Sequence, residues 1–118
     1  MDKIARGQLA EDAAVRYLQR QGYRIVERNF RSRLGEIDII TEHEGYIVFV
    51  EVRSRRGSSF GVPQETVNRT KQGKVRRMAT QYLKFKGAWQ RPCRFDVVGV
   101  ILDRADNIES VELIRDAF

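Results

Sequence analysis

The chain has 118 residues, 42% of them hydrophobic and 32% charged, a composition typical of one globular domain and not of a disordered segment. Its 22 Lys and Arg residues against 16 Asp and Glu residues give a net charge of +6, which favours a polyanionic partner. The N-terminal stretch lacks the apolar core of a signal peptide and no apolar run approaches the roughly 18 residues of a membrane span, so we expect a cytoplasmic protein with no membrane partner.

The first two predicted elements are a helix and a strand. Small and apolar residues recur at helical spacing on one face and predict a helix that ends at Gly22; they are Ala10, Ala13, Ala14, Tyr17 and Leu18. The segment YRIVERNF, residues 23–30, is rich in β-branched and aromatic residues and predicts a strand at a sheet edge.

A β-hairpin is the strongest local signal, because EIDIIT and YIVFVEVR flank the short turn HEG. A polar loop, SRRGSSFGVPQE, follows, and from Thr66 to Gly87 apolar residues again recur at helical spacing. RFDVVGVIL is apolar on both strand faces and predicts a central strand, and SVELIRD predicts a weaker last strand. This order of elements predicts a single α/β domain, residues 1–118, with a mixed sheet.

Acids interrupt the apolar strands of the hairpin. With Glu44 and Gly45 at the turn, paired residue numbers sum to 89, so Asp38 lies opposite Glu51 with Cβ atoms about 5 Å apart. Two carboxylates at this distance repel unless a cation lies between them, which points to a metal ion. The alternative is that Arg53, on the same strand face as Glu51, neutralises an exposed acid. The apolar neighbours of both acids favour partial burial and therefore the metal.

Glu11 is a third candidate, because its i−4, i+3 and i+7 neighbours place it beside the inward face of the first helix. A carboxylate there also interacts favourably with the helix dipole, which is an alternative reason for its presence. Cys93 is the only cysteine, so neither an internal disulfide nor a thiolate metal cluster is possible.

The segments NFR, GEIDII, VFVEVR, FGVPQETV and RFDVV, in this order, resemble the uncharacterised YraN family, which is regarded as a family of endonucleases. That family is similar to the PD-(D/E)xK nuclease superfamily and, within it, to Holliday junction resolvases. The resemblance implies a restriction-endonuclease-like fold, a mixed sheet of about five strands flanked by helices. It also implies DNA as the partner and, by analogy with the resolvases, a homodimer.

The resemblance assigns roles residue by residue. Asp38, Glu51 and Glu11 match the acids that bind Mg²⁺ or Mn²⁺ in the superfamily. Arg53 stands where the superfamily pattern has lysine, and a permanently protonated arginine cannot act as a base, although it can stabilise charge on a phosphate. Lys71 matches a lysine of the family pattern, and its helical spacing from Val75 directs it towards the sheet.

Two basic runs, RSRR at 53–56 and RTKQGKVRR at 69–77, flank the acids and suit the binding of phosphates without base readout. The alternative is that these runs are only solvated surface. The residues we expect to contact nucleic acid are Arg55, Arg56, Arg69, Lys71, Lys74 and Arg77.

A few further residues are weaker candidates. Gln64 and Asp96 are candidates for the cleft, with a strand-end hydrogen-bonding role as an equal alternative for Asp96. Phe30 is also a cleft candidate, but we expect it in the core. Trp89 is a candidate for stacking on a base, but we expect it to cap the core. His43, at the hairpin, is not expected to bind metal.

The leading hypothesis is a metal-dependent endonuclease acting on branched or structured DNA. A nucleic-acid-binding module with a degenerate site is the alternative that the arginine at position 53 favours. A third hypothesis is a basic adaptor domain whose acids only form salt bridges.

Overall fold

A computed structural model describes residues 1–57 and 67–118 of the chain. Within these ranges, five strands form one mixed sheet in the order β1-β2-β3-β4-β5, in which only the β3–β4 pair is parallel. The elements are α1 (Lys3–Arg20), β1 (Arg24–Ser32), β2 (Gly35–His43), β3 (Tyr46–Arg56), α2 (Arg69–Phe85), β4 (Cys93–Leu102) and β5 (Ile108–Ile114). The predicted α/β class, mixed sheet and strand number are confirmed.

Side-chain caps fix where the two helices begin. The carboxylate of Asp2 accepts a hydrogen bond from the amide of Ala5 at 2.8 Å, so α1 begins before the periodic segment from which it was predicted. The side chain of Asn68 accepts from the amide of Lys71 at 2.9 Å and caps α2 in the same way. The chain leaves α1 through Gly22 at φ +90°, a conformation that favours glycine, as the predicted end of the helix requires.

The two helices cover opposite faces of the sheet. Leu18 of α1 belongs to one buried cluster with Val48 and Val50 of β3, whereas Val75 of α2 belongs to another with Phe49. This division confirms the predicted alternation of β3, because successive side chains of a strand point to opposite faces. Each helix needs only one apolar stripe to cover its face.

The strand positions also agree with the sequence. β1 and β5 are the two edges of the sheet and β4 is an interior strand, as predicted for RFDVVGVIL. The polar loop predicted from residue 54 needs correction at its start, because β3 continues to Arg56 and pairs with Leu102. Neither described helix combines the length and the apolar composition that a membrane crossing requires.

Candidate metal and nucleic-acid site

The β2–β3 hairpin has the predicted turn and register. Glu44 and Gly45 both adopt positive φ, at 51° and 86°, the conformation of the tight turn that joins twisted antiparallel strands. Pairs from His43 with Tyr46 to Ile39 with Val50 follow, and their numbers sum to 89 as predicted. The next positions in this register are Asp38 and Glu51.

The ladder is interrupted at Asp38, and carboxylates replace its backbone hydrogen bonds. Glu51 Oε2 accepts from the amide of Asp38 at 3.2 Å, and Asp38 Oδ2 accepts from the amide of Val52 at 2.8 Å. On the other side of β2, Asn29 adopts φ 55° and drops out of the pairing with Asp38. The two acids therefore reach past each other, each to the other strand.

Burial makes ionisation of both acids costly. Glu51 is completely buried and Asp38 is partly buried. Burial, followed by repulsion from Glu51, raises the pKa of Asp38 from 3.8 to about 7. Burial also raises the pKa of Glu51, although the positive charge of Lys71 opposes the shift. Negative charge on Asp38 and Glu51 is therefore unfavourable in this buried environment.

Helix α1 brings Glu11 to the same region. Its side chain is buried, as the helical spacing predicted, and its Oε2 accepts hydrogen bonds from Arg28 Nε at 3.0 Å and Nη2 at 2.5 Å. Asn29 Nδ2 donates to the same oxygen at 3.2 Å. Arg28 also binds Asp12 at 2.7 Å, so strand β1 fixes the orientation of the Glu11 carboxylate.

Glu36, which we did not predict as a site residue, joins Glu11 and Asp38. One ligand oxygen from each of these three residues lies within 4.8 Å of the others, a spacing that suits a cation. Together with Asn29 and Arg53 they line a cavity of about 270 Å³ between α1 and the sheet. Positions 36 and 38 share a strand face by alternation, and this signal could have identified Glu36.

Glu51 lies just outside this group and faces two cations. Lys71 Nζ is 3.3 Å and Arg53 Nη2 is 3.7 Å from Glu51 Oε1. Within the described chain, however, no group donates a hydrogen bond of good geometry to this buried oxygen. Lys71 points towards the sheet, as predicted. The structure thus brings together Asp38, Glu11 and Glu36 on one side and Glu51 with its two cations on the other.

The predicted nucleic-acid contacts occupy two surfaces. Arg55 and Arg56 lie on β3 and not in a loop, and Arg56 forms an ion pair with Asp106 at 2.7 Å. The remaining predicted contacts besides Lys71 are exposed on α2; these are Arg69, Lys74 and Arg77. The first surface follows Arg53 along β3, and the second lies on α2, the helix that also carries Lys71. Because Arg53 and Lys71 both approach Glu51, the two surfaces flank the acids.

Asp96, one of the weaker candidates, holds three parts of the fold together. Asp96 is completely buried and accepts hydrogen bonds from Tyr23 Oη at 2.7 Å, from Arg94 and from the amide of Asp116, so it links β4 to the start of β1 and to the C-terminal segment. Burial, followed by the bond to Asp96, raises the pKa of Tyr23 to about 12.

The structure decides the predictions for Phe30 and Trp89. Phe30 packs against the core cluster beneath α2, as expected. The prediction that Trp89 caps the core is wrong, because 65% of this residue is exposed in the turn after α2. His43 is buried and stacks on Tyr23 with ring centroids 4.0 Å apart. Gln64 lies outside the described residues.

Comparison with known proteins identifies relatives along the whole chain. The model of the uncharacterised protein family UPF0102 matches residues 10–100. A UPF0102 protein of Moorella thermoacetica is 49% identical over 118 residues, covering 100% of this chain and 98% of the relative. UPF0102 proteins of Desulforamulus reducens and Pelotomaculum thermopropionicum are 44% and 43% identical, covering 99% and 95% of this chain and 98% and 93% of the relatives.

Proposed function

We propose that this chain, which belongs to the uncharacterised protein family UPF0102, is a divalent-metal-dependent endonuclease that hydrolyses phosphodiester bonds in branched or structured DNA. The observation that carries the proposal is the convergence of Asp38, Glu11 and Glu36 on one cavity, with the buried Glu51 on the neighbouring strand accepting a hydrogen bond from the amide of Asp38. The resemblance to the YraN family and to the PD-(D/E)xK nucleases supports it, since Asp38, Glu51 and Glu11 match the acids of that pattern.

The donors in this region fit Mg²⁺ or Mn²⁺. They are all carboxylate oxygens, which hard divalent cations prefer, and the buried Glu51 Oε1 receives no hydrogen bond of good geometry in the described chain, although Lys71 Nζ lies 3.3 Å away. Burial, followed by repulsion from Glu51, raises the pKa of Asp38, and a cation beside this carboxylate would oppose both effects. Asp38 and Glu11 would hold the ion together with either Glu51 or Glu36.

The ion, when bound, would lower the pKa of a water ligand and offset negative charge on the phosphate under attack. The chain would supply positioning and further charge. Arg28 and Asn29 hold one oxygen of Glu11, which leaves its other oxygen for the cavity. Arg53 remains protonated, so its role is to stabilise charge on the phosphate and not to accept a proton.

Lys71 offers the ammonium group that position 53 lacks. Its Nζ approaches Glu51 Oε1 to 3.3 Å from helix α2, closer than Arg53 Nη2 at 3.7 Å. Lysine differs from arginine because its compact charge and adjustable pKa suit it to orient an attacking water. We therefore assign Lys71 a role at the reacting phosphate and not only in holding the DNA backbone.

The alternative function, a nucleic-acid-binding module without turnover, also has an observation in its favour. The acids already have protein cations as neighbours, because Arg28 binds Glu11 while Lys71 and Arg53 approach Glu51. If these ion pairs satisfied the acids, the basic surfaces would bind DNA without metal. The pKa of Asp38, raised to about 7, favours the metal, since it indicates that the ion pairs leave this acid uncompensated.

A cleavage assay separates the two functions. Four-way junction, flap and linear duplex DNA are incubated with the protein in Mg²⁺, in Mn²⁺ and in EDTA, with Asp38→Asn as the matched control. We expect cleavage in metal, preference for the branched substrates, and loss of cleavage in EDTA and in the variant. Salt-sensitive binding of all three substrates, without cleavage in either metal, would identify the binding module instead. Because a four-way junction has two-fold character, the proposal includes a homodimer on that substrate.

A further inference from the structure

A second cavity, of about 330 Å³, adjoins the acid cavity. It lies between the first turn of α1 and the end of β3, and it shares Ser54 with the acid cavity. Six of the described residues line it and four of these are cationic; the six are Lys3, Arg6, Ser54, Arg55, Arg56 and Leu102. We call this the basic cavity. Lys3 and Arg6 are not part of either basic run in the sequence, and only the fold brings them to Arg55 and Arg56.

The positive charge of the basic cavity is only partly balanced. Asp106 pairs with Arg56 at 2.7 Å and lies 4.0 Å from Arg6 Nη1. Arg6 also donates to the carbonyl of Met1 at 2.9 Å. Lys3 has neither a hydrogen bond nor an ion pair from its side chain among residues 1–57 and 67–118. Asp106 is therefore shared by two cations of this concave surface, Arg56 and Arg6.

The helix dipole makes this arrangement unfavourable for the protein alone. The N-terminus of α1 carries the positive end of the dipole, where acids stabilise a helix and bases destabilise it. The capping carboxylate of Asp2 offsets part of this cost, but the first turn itself contains no acid, and two of the cations of the basic cavity, Lys3 and Arg6, lie in or next to it. An anion in the cavity would gain from the side chains and from the dipole together.

We propose that the basic cavity binds a backbone phosphate of the nucleic acid next to the phosphate that is cleaved. This inference rests on the proposed function, because the neighbouring acid cavity gives the nucleic acid its position. A strand whose scissile phosphate lies at Asp38 would pass Ser54 and place a flanking phosphate beside Lys3 and Arg6. The contact reads charge and spacing and not the base sequence, as phosphate contacts do.

The test compares two double variants that each remove two cations. The first, Lys3→Ala with Arg6→Ala, removes two of the four described cations of the basic cavity. The second, Arg20→Ala with Lys84→Ala, removes exposed cations from the far ends of the two helices. Binding of a fluorescein-labelled DNA duplex is measured by anisotropy in EDTA, between about 50 and 200 mM salt. Working without metal keeps the measurement independent of cleavage.

We expect the Lys3 and Arg6 double variant to bind about tenfold more weakly and to lose roughly one unit from the slope of log affinity against log salt. The control pair should stay within about twofold of the native protein, because scattered exposed cations contribute little to a specific phosphate contact. The cavity variant should unfold at the same temperature as the native protein or higher, since it removes cations from a helix N-terminus.

Each other result overturns the inference. Equal affinity and salt slope for the cavity variant and the control pair would exclude a phosphate in the basic cavity. Binding of inorganic phosphate that the cavity variant loses, with unchanged DNA affinity, would assign the cavity to a free anion. The failure of the proposed function looks different: the native protein would bind DNA with the expected loss in the cavity variant, but would cleave no substrate in Mg²⁺ or Mn²⁺.

Discussion

Replacing Asp38 by asparagine should stabilise the metal-free protein at neutral and higher pH. Burial, followed by repulsion from Glu51, raises the pKa of Asp38 from 3.8 to about 7 in the folded state. The folded protein therefore binds one proton more than the unfolded chain between about pH 4 and pH 7, and its free energy of unfolding falls as the pH rises through this window. A rise of roughly three pKa units corresponds to about 4 kcal/mol above pH 7.

Asparagine avoids this cost and keeps the useful contact. Its side-chain oxygen can accept the hydrogen bond that Asp38 Oδ2 accepts from the amide of Val52 at 2.8 Å. We therefore expect Asp38→Asn to exceed the native protein by about 2–4 kcal/mol at pH 8 and to differ little from it near pH 4.

Urea unfolding in EDTA at several pH values measures this difference. Glu36→Gln is the matched control, because Glu36 pairs with Arg31 at the surface and its replacement should change stability by less than about 1 kcal/mol. An Asp38→Asn variant less stable than the native protein at pH 8 would refute the reasoning and make Asp38 a structural residue. An advantage of equal size at all pH values would also refute it, since the effect would not arise from ionisation.

Three further substitutions test other parts of the account by urea unfolding. Lys71→Met removes the ammonium group nearest to Glu51, so it should raise the pKa of Glu51 further. The variant should therefore be destabilised increasingly as the pH rises, and a loss of stability independent of pH would contradict the ion pair. Asp96→Ala should cost about 3–5 kcal/mol, because it removes the partner of the partly buried Arg94 and the acceptor of the buried Tyr23 hydroxyl. A loss below about 1 kcal/mol would show that water replaces the carboxylate. Phe49→Ala should cost about 3–5 kcal/mol in the core, whereas Phe85→Ala, at an 82% exposed position, should be nearly neutral; similar losses for both would contradict the packing.

The hairpin shows which parts of the site the sequence can predict. Its register follows from the turn at Glu44 and Gly45 and from the alternation of apolar residues, both of which are local. Alternation also predicts correctly that Glu51 and Phe49 share a face, and helical spacing predicts the burial of Glu11 and the direction of Lys71. Local periodicity therefore indicates which side chains turn inward.

The interruption at Asp38 could not be read from the same patterns. It depends on the left-handed backbone of Asn29 in the neighbouring strand and on carboxylates that take the place of ladder hydrogen bonds. Glu36 shares a strand face with Asp38, but its approach to Glu11 depends on the packing of α1 against the sheet. The exposure of Trp89 was missed for a related reason, since its position depends on the turn that follows α2.

The basic cavity illustrates the role of tertiary structure most clearly. Lys3 and Arg6 are separated from Arg55 and Arg56 by about half the chain, and no sequence run connects them. Only the packing of α1 against β3 places these four cations around one space next to the acids. A sequence analysis that follows runs of charge finds the surfaces but not the cavity.

The most direct test of the metal site is a calorimetric titration of Mg²⁺ and Mn²⁺ into metal-free protein, repeated with Asp38→Asn. We expect the native protein to bind the ion and the variant not to bind it, although the variant remains folded. Parallel titrations of Glu36→Gln and Glu51→Gln would then identify the acid that completes the site with Asp38 and Glu11. Equal binding by the native protein and Asp38→Asn, or no binding by the native protein at millimolar metal with DNA present, would contradict a metal at the hairpin.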